Sequence, residues 1–124
     1  MAELKFTNEH ECIKVDGDIA WVGITHYAQD ALGDLVFVEL PPLGKKVKKK
    51  EHFAVVESVK TAAEVYSPVD GEVVAVNDAM PGNLELIKSP VGEQGWIAKI
   101  KISDPSQLAS LMDEKAYADY LKGL

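Results

Sequence analysis

The sequence predicts a mainly β fold, a small barrel or sandwich of short strands with helices at its edges. Three observations carry that expectation. Apolar segments of four to seven residues recur along the chain and are broken by Gly, Pro, Asn and Asp. None of the early segments is long enough for more than one short helix. Only after Asp104-Pro105 does the apolar spacing change to a helical period.

Taken in order, His10–Val15 and Ile19–Gly23 read as strands joined at Asp16-Gly17-Asp18, an Asp-Gly hairpin signal. Thr25 is placed to cap a short helix over His26–Leu32, and Gly33 to end it. Leu35–Leu40 reads as a strand stopped by Pro41-Pro42. The basic stretch Lys45–Lys50 reads as a solvated loop or an edge strand, with a docking patch as the alternative. Phe53–Glu57 and Glu64–Ser67 read as strands flanking Ser58-Val59-Lys60-Thr61. That turn lacks Gly, Asn and Pro, which leaves a type I geometry open. Pro68, Asp70 and Gly71 precede an alternating strand, Glu72–Val76. Leu84–Ile87 is expected as a short strand between Pro81-Gly82-Asn83 and Ser89-Pro90-Val91-Gly92, and Trp96–Ile102 as another. Asp104-Pro105 gives a helix start with Pro at the first position. Asp113 caps a last helix in which Tyr117, Tyr120, Leu121 and Leu124 recur at helical spacing.

The 124 residues suit a single domain spanning 1–124, and at 47% hydrophobic they suffice for a real core. A net charge of −7 argues against nucleic acid, whose affinity rests on neutralising phosphates. No apolar run approaches the roughly 18 residues of a membrane span, and Met1–Phe6 has no signal-peptide pattern. A cytoplasmic monomer is the expectation. Cys12, the single cysteine, has no partner for an intramolecular disulfide and reads as a small packing residue.

The segment Glu57–Gly71, which contains Ser58-Val59-Lys60-Thr61-Ala62-Ala63-Glu64, is the most informative for chemistry. A lysine in a tight turn between two apolar strands projects into solvent, where its amine can be acylated. The small neighbours Val59, Thr61 and Ala62 do not screen it. Acylation would remove the charge and create a long arm on a stiff tip. Spacing alone leaves an ordinary solvated lysine as the better reading. Two other readings have less support. Cys12 with His10, His26 or His52 lacks an oxyanion-hole motif and a third orienting residue for hydrolase chemistry. His10 and Cys12 also lack the paired spacings of a zinc site.

The chain as a whole resembles the H-protein family of the glycine cleavage system. The likeness runs through His10-Glu11, Val22–Gln29, Leu32–Pro41, Val55–Lys60, Ser67–Val73, Gly95-Trp96 and Ser103-Asp104-Pro105. Any one of these stretches would be weak evidence; their order is specific. The resemblance implies a lipoyl-domain-like hybrid barrel of two antiparallel sheets. It adds a short internal helix, C-terminal helices over about 104–122, and a modified hairpin at about 53–67. It places covalently bound lipoate on Lys60 and implies a carrier with no catalytic residue and no metal.

The implied partners are a pyridoxal-phosphate-dependent glycine decarboxylase that loads the aminomethyl group and a tetrahydrofolate-dependent aminomethyltransferase that takes it. A flavin-dependent dihydrolipoamide dehydrogenase reoxidises the dithiol, and a lipoate ligase or lipoyl transferase attaches the cofactor. The resemblance also assigns Glu11 and Glu64 as contacts to the aminomethyl-bearing arm, because a buried cationic amine needs carboxylate acceptors. A solvated strand-face carboxylate is the alternative for each. His10 is assigned to orient the cleft, with a packing histidine as its alternative. Related carriers serving sulfur metabolism or lipoate relay are the competing use of the same fold. Biotin attachment is weaker, because Val59 and Thr61 stand where biotin carriers have methionines.

Two positions depart from the family pattern. Cys12 stands where a bulky aromatic is usual, which predicts looser packing beside the arm cleft. Lys50 stands where Gly is common, so a required positive φ would strain it.

Overall fold

The computed structural model describes residues 3–89 and 91–123. Among these residues nine strands form two antiparallel sheets. The larger takes β1 (Glu3–Phe6), β2 (Glu11–Asp16), β3 (Ile19–Ile24), β9 (Ala98–Ile102), β8 (Gly71–Val76) and β5 (Lys46–Val47), in that spatial order. The smaller takes β4 (Leu35–Glu39), β6 (His52–Ser58) and β7 (Ala62–Tyr66). Helix α1 is His26–Leu32 and helix α2 is Glu114–Lys122, with 3₁₀ turns at Leu84–Lys88 and Pro105–Ser110. The expected two-sheet β architecture with one internal and C-terminal helices is therefore present.

The core lies between the sheets. Ile13, Val22, Ile100 and Val73 on the large sheet face Val38, Val56 and Val65 on the small one, all buried. Strand periodicity explains the partition, since alternate residues point to opposite faces. Val38 pairs with Val56, and Val56 with Ala63, on the inner face. Gly71 is needed for close approach: a Cβ there would overlap the Lys101 carbonyl of the adjoining strand.

Most local signals read from the sequence hold. Gly17 takes φ 63° in the β2–β3 turn. The Thr25 hydroxyl accepts from the Ala28 N–H at 3.2 Å, and Gly33 ends α1 at φ 79°. Asp104 and Asp113 cap their segments by accepting from Ser106 and Ala116. The lysine-rich stretch contributes β5, a two-residue edge strand.

Several expectations need correction. Leu84–Ile87 is not a strand. It belongs to a 3₁₀ turn in which Leu86 and Ser89 donate to the carbonyls three residues back. A four-residue apolar run fits either state, and burial of Ile87 beneath α1 decides it, with Gln29 donating to the Ile87 carbonyl at 2.9 Å. The last strand begins at Ala98, not Trp96, because the Trp96 carbonyl accepts from the Asn77 side chain. Strand β1 was not foreseen, since four residues carry too little alternation to register. His10 lies outside β2, at φ 69° in the turn between β1 and β2. Pro90 and Leu124, assigned to a turn and to the last helix, lie outside the described residues.

Candidate functional site

The turn Ser58–Thr61 needs no glycine because a side chain organises it. The Ser58 hydroxyl accepts from the N–H groups of Lys60 (3.3 Å) and Thr61 (3.2 Å) and donates to the Thr61 carbonyl. The Ser58 N–H donates to that same carbonyl at 2.8 Å. This is a serine-stabilised turn, the hydroxyl replacing a backbone partner. Ser58 is itself buried, so the tip is held from below. A further bond, from the Val59 N–H to the Asp34 carbonyl at 3.1 Å, fastens the turn to the chain entering β4. Lys60 is exposed at this anchored tip, and its side chain passes over Gly33 at the end of α1.

Glu11 occupies the opposite kind of environment. Only 2% of it is exposed. The Thr7 hydroxyl donates to its Oε1 at 2.6 Å and the Tyr66 N–H to its Oε2 at 3.4 Å. Burial raises the Glu11 pKa to about 7, against the opposing pull of those two bonds. A pocket of about 350 Å³ lies at this position, walled by Phe6, Thr7, Tyr66, Met112 and Tyr120 as well as Glu11. Thr7 also accepts from the Glu9 and Glu11 N–H groups, so one hydroxyl shapes the β1–β2 turn and holds the carboxylate.

Strand β7 connects the two regions. It is an edge strand that leaves the Lys60 turn at Ala62 and reaches Tyr66, whose outward N–H meets Glu11. Four strand steps separate Ala62 from Tyr66, roughly 13 Å. Glu64 lies between them on the outer face, exposed, with its carboxylate 3.3 Å from His52 Nδ1. It does not line the Glu11 pocket.

His10 is tied into an aromatic corner. Its Nδ1 is 2.8 Å from the Tyr117 hydroxyl, which also meets the Thr25 hydroxyl at 2.8 Å. Its ring centroid lies 4.5 Å from that of Tyr27. Burial lowers the His10 pKa and favours the neutral ring, although Glu9 works against this. Cys12 has its thiol pKa raised to about 11 by burial and by Glu114, so it is a poor nucleophile at neutral pH. It lines an apolar groove of about 530 Å³ with Phe6, Ile24, Tyr27, Tyr117 and Leu121. Lys50 adopts φ 73°, the conformation a glycine takes without strain, and its N–H donates to the Ser67 carbonyl. Among the described residues no group of three His, Cys, Asp or Glu side chains could hold a metal, and no helix is long and apolar enough to cross a membrane.

Sequence reading did not single out Thr7 or Tyr117. Thr7 had only a weak signal, a hydroxyl residue four places before an acidic one. Tyr117 had none beyond its helical spacing, because its partners Thr25 and His10 lie about a hundred residues away.

Two antiparallel sheets packed over one core, with a serine-braced hairpin at one end, define the class as a small two-sheet β domain. The chain belongs to the glycine cleavage H-protein family, whose model matches residues 4–123. It is 49% identical to the glycine cleavage system H protein of Parvibaculum lavamentivorans, over all of this chain and 99% of that one. It is 52% identical to the corresponding protein of Bartonella tribocorum, over 94% of this chain and 96% of the relative. The crystal structure of a glycine cleavage system H protein from Mycobacterium marinum superposes with a TM-score of 0.85 at 34% identity, covering 98% of each chain. Family membership at this coverage assigns the chain the role of lipoyl carrier in the glycine cleavage system, with other components of that system as its partners.

Proposed function

We propose that Lys60 is the residue that carries lipoate and that Glu11 receives the cationic end of the loaded arm. The observation supporting this most directly is the serine-braced turn: Lys60 is exposed while its own backbone N–H is bound to a buried Ser58. An attached group therefore swings on side-chain bonds from a fixed base.

The attachment step forms an amide between Lys60 Nζ and the carbonyl carbon of an activated lipoyl donor. The bond from that carbon to its leaving group breaks, and the amine gives up protons to solvent or to a base on the attaching enzyme. That enzyme is a lipoate ligase or a lipoyl transferase. When bound, lipoate supplies a cyclic disulfide that is reductively opened to take up the aminomethyl group of glycine. The chain's own residues supply attachment and shelter. They perform no turnover, so the protein is a non-catalytic component.

Glu11 suits the shelter role because it is a buried acceptor on the wall of a pocket. An ammonium entering there would favour its ionised form. Thr7 fixes the orientation of the carboxylate. Glu64 lies between Lys60 and Tyr66 along β7, where it can meet the arm outside the pocket. His10 lines no part of that pocket; through Tyr117 and Thr25 it braces the β1–β2 turn next to Glu11. The pyridoxal-phosphate-dependent decarboxylase, the tetrahydrofolate-dependent aminomethyltransferase and dihydrolipoamide dehydrogenase are the enzymes served. A cytoplasmic, monomeric carrier fits this role.

Intact-mass and peptide analysis after co-expression with a lipoate ligase tests the assignment. One lipoyl increment is expected on the Lys60 peptide, and none in Lys60→Arg. An increment that survives that substitution would assign the carrier function to another lysine.

A further inference from the structure

The outer face of the large sheet carries charge of the opposite sign to the chain as a whole. Register shows which residues share it. Ile13, Val22 and Ala98 form one inward row, and Ala20, Ile100 and Val73 the next. Side chains alternate along a strand and directly paired residues project to the same side, so the residues between these project outward. They form two rows: Lys14, Trp21, Lys99 and Ala75, then Asp16, Ile19, Lys101, Glu72 and Lys46. Four ammonium groups thus share this face with two carboxylates, in a chain of net charge −7. The loop 91–95 lies over Gly23, one row away. Lys46, Glu72 and Lys101 are exposed, and Val74, the extra residue of a bulge in β8, is 43% exposed beside them.

These lysines are held but not neutralised. Lys99 Nζ lies 3.8 Å from the Trp21 ring centre and 4.7 Å from that of Trp96, and Lys14 Nζ lies 4.5 Å from Trp21. The two indoles meet edge to face with 6.0 Å between centres. An aromatic face attracts a cation without cancelling its charge. Among the described residues none of Lys14, Lys46, Lys99 and Lys101 is in an ion pair, although Glu72 is the direct neighbour of both Lys46 and Lys101. The two ammonium groups over Trp21 therefore lose less freedom on meeting a carboxylate than unrestrained lysines would.

We infer that this face docks an acidic surface on another component of the glycine cleavage system, and that a partner bound here leaves the Lys60 hairpin uncovered. The inference rests on family membership and not on which lysine carries the arm. Position and charge select this occupant. The hairpin belongs to the small sheet, and the two sheets turn their outer faces in opposite directions, with a core roughly 10 Å thick between them. The five strands that bear the two rows span about 19 Å at the usual strand spacing of roughly 4.8 Å. Both rows therefore fit within a standard interface of roughly 800 Å² per partner. A bounded acidic patch on a folded protein matches that area. An anionic bilayer or a nucleic acid extends past it and meets the carboxylates that make the chain acidic. A carrier held by this face keeps its arm free, and its encounters with enzymes in the same assembly become effectively intramolecular.

The test uses the unlipoylated chain labelled with heavy nitrogen. Its two tryptophans, Trp21 and Trp96, give one indole N–H signal each in NMR. The glycine decarboxylase, the aminomethyltransferase and dihydrolipoamide dehydrogenase are added separately and unlabelled. At least one enzyme is expected to shift or broaden both signals. Lys99→Gln/Lys101→Gln should raise the Kd of that enzyme about tenfold and weaken its dependence on salt. Lys115→Gln/Lys122→Gln, on the exposed side of α2, makes the same change in net charge and should leave Kd within twofold. Equal weakening by the two double variants would overturn the face, as would indole signals that no enzyme moves. Signals moved by phosphatidylglycerol vesicles and by no enzyme would overturn it in favour of a membrane surface. Self-association that Lys99→Gln/Lys101→Gln abolishes would overturn it in favour of a second copy. Lipoylation of Lys60 in that double variant should match the unaltered protein, so a failure of the carrier assignment is read separately, by mass.

Discussion

The Lys60 turn and the Glu11 corner lie at opposite ends of β7 and are built in contrasting ways. The turn is largely local: one serine hydroxyl organises four consecutive residues, a single bond from Val59 to Asp34 fastens them to the chain before β4, and the lysine is exposed. The corner is assembled from distant parts of the chain: Thr7 and Tyr66 bind the carboxylate, and Met112 and Tyr120 help to wall the pocket. An exposed tip can be made mostly from short-range bonds. A buried carboxylate cannot, because its burial requires desolvation and partners on several sides. The contrast predicts that the two ends respond differently to substitution and to pH.

The largest effect belongs to Glu11→Gln. The Glu11 pKa is about 7 in the folded chain, raised from 4.5, so folding favours its protonated form. Its contribution to stability is fully present below the unfolded value and is lost as pH rises through the folded one. Denaturant titrations should therefore show Glu11→Gln matching the unaltered protein near pH 4 and exceeding it by up to about 3 kcal/mol at pH 8. Equal stabilities at pH 8 would show that the corner tolerates the ionised carboxylate without cost.

Thr7→Val comes next. It removes a donor to a buried carboxylate and an acceptor for two N–H groups. A loss of about 2 kcal/mol at neutral pH is expected, together with a further rise in the Glu11 pKa, read from its side-chain carbon shift by NMR. A pKa that stays in place would show that Thr7 supports the turn but not the carboxylate.

Ser58→Ala tests the other end. Losing the hydroxyl should cost about 1 kcal/mol and increase the mobility of the Lys60 backbone in NMR relaxation, with the titration of Glu11 unmoved. A simultaneous change at Glu11 would mean that the two ends are coupled through β7.

The smallest effect is a gain. Lys50 holds φ 73° beside the Glu11 pocket, and relief of that strain by Lys50→Gly should add about 0.5–1 kcal/mol. Thermal unfolding of the two proteins compares them directly. No gain would indicate that the lysine side chain offsets the strain through contacts of its own.

The legibility of the chain followed the same division. Thr25 and Gly33 bounded α1, Asp16-Gly17-Asp18 turned β2 into β3, and Asp113 started α2, each through signals within a few residues. The exposure of Lys60 in a tight turn was legible for the same reason, since it depends on the residues next to it. The 3₁₀ turn at Leu84–Lys88 was misread because its apolar run suits two conformations and its environment selects one. The burial of Glu11 was not legible, because its partners Thr7 and Tyr66 come from different parts of the fold.

The sequence by itself determined the strand periods, the helix caps, the acidic balance and the single lysine at a tight turn, because those depend on neighbouring residues and on solvent. Only the tertiary structure decided that Glu11 is sealed beneath Thr7 and Tyr66, that Tyr117 ties His10 to Thr25, and that Lys14, Trp21 and Lys99 share an open face. Each of those depends on pairing between segments far apart in the chain, and the surrounding core fixes it through packing that no local signal encodes.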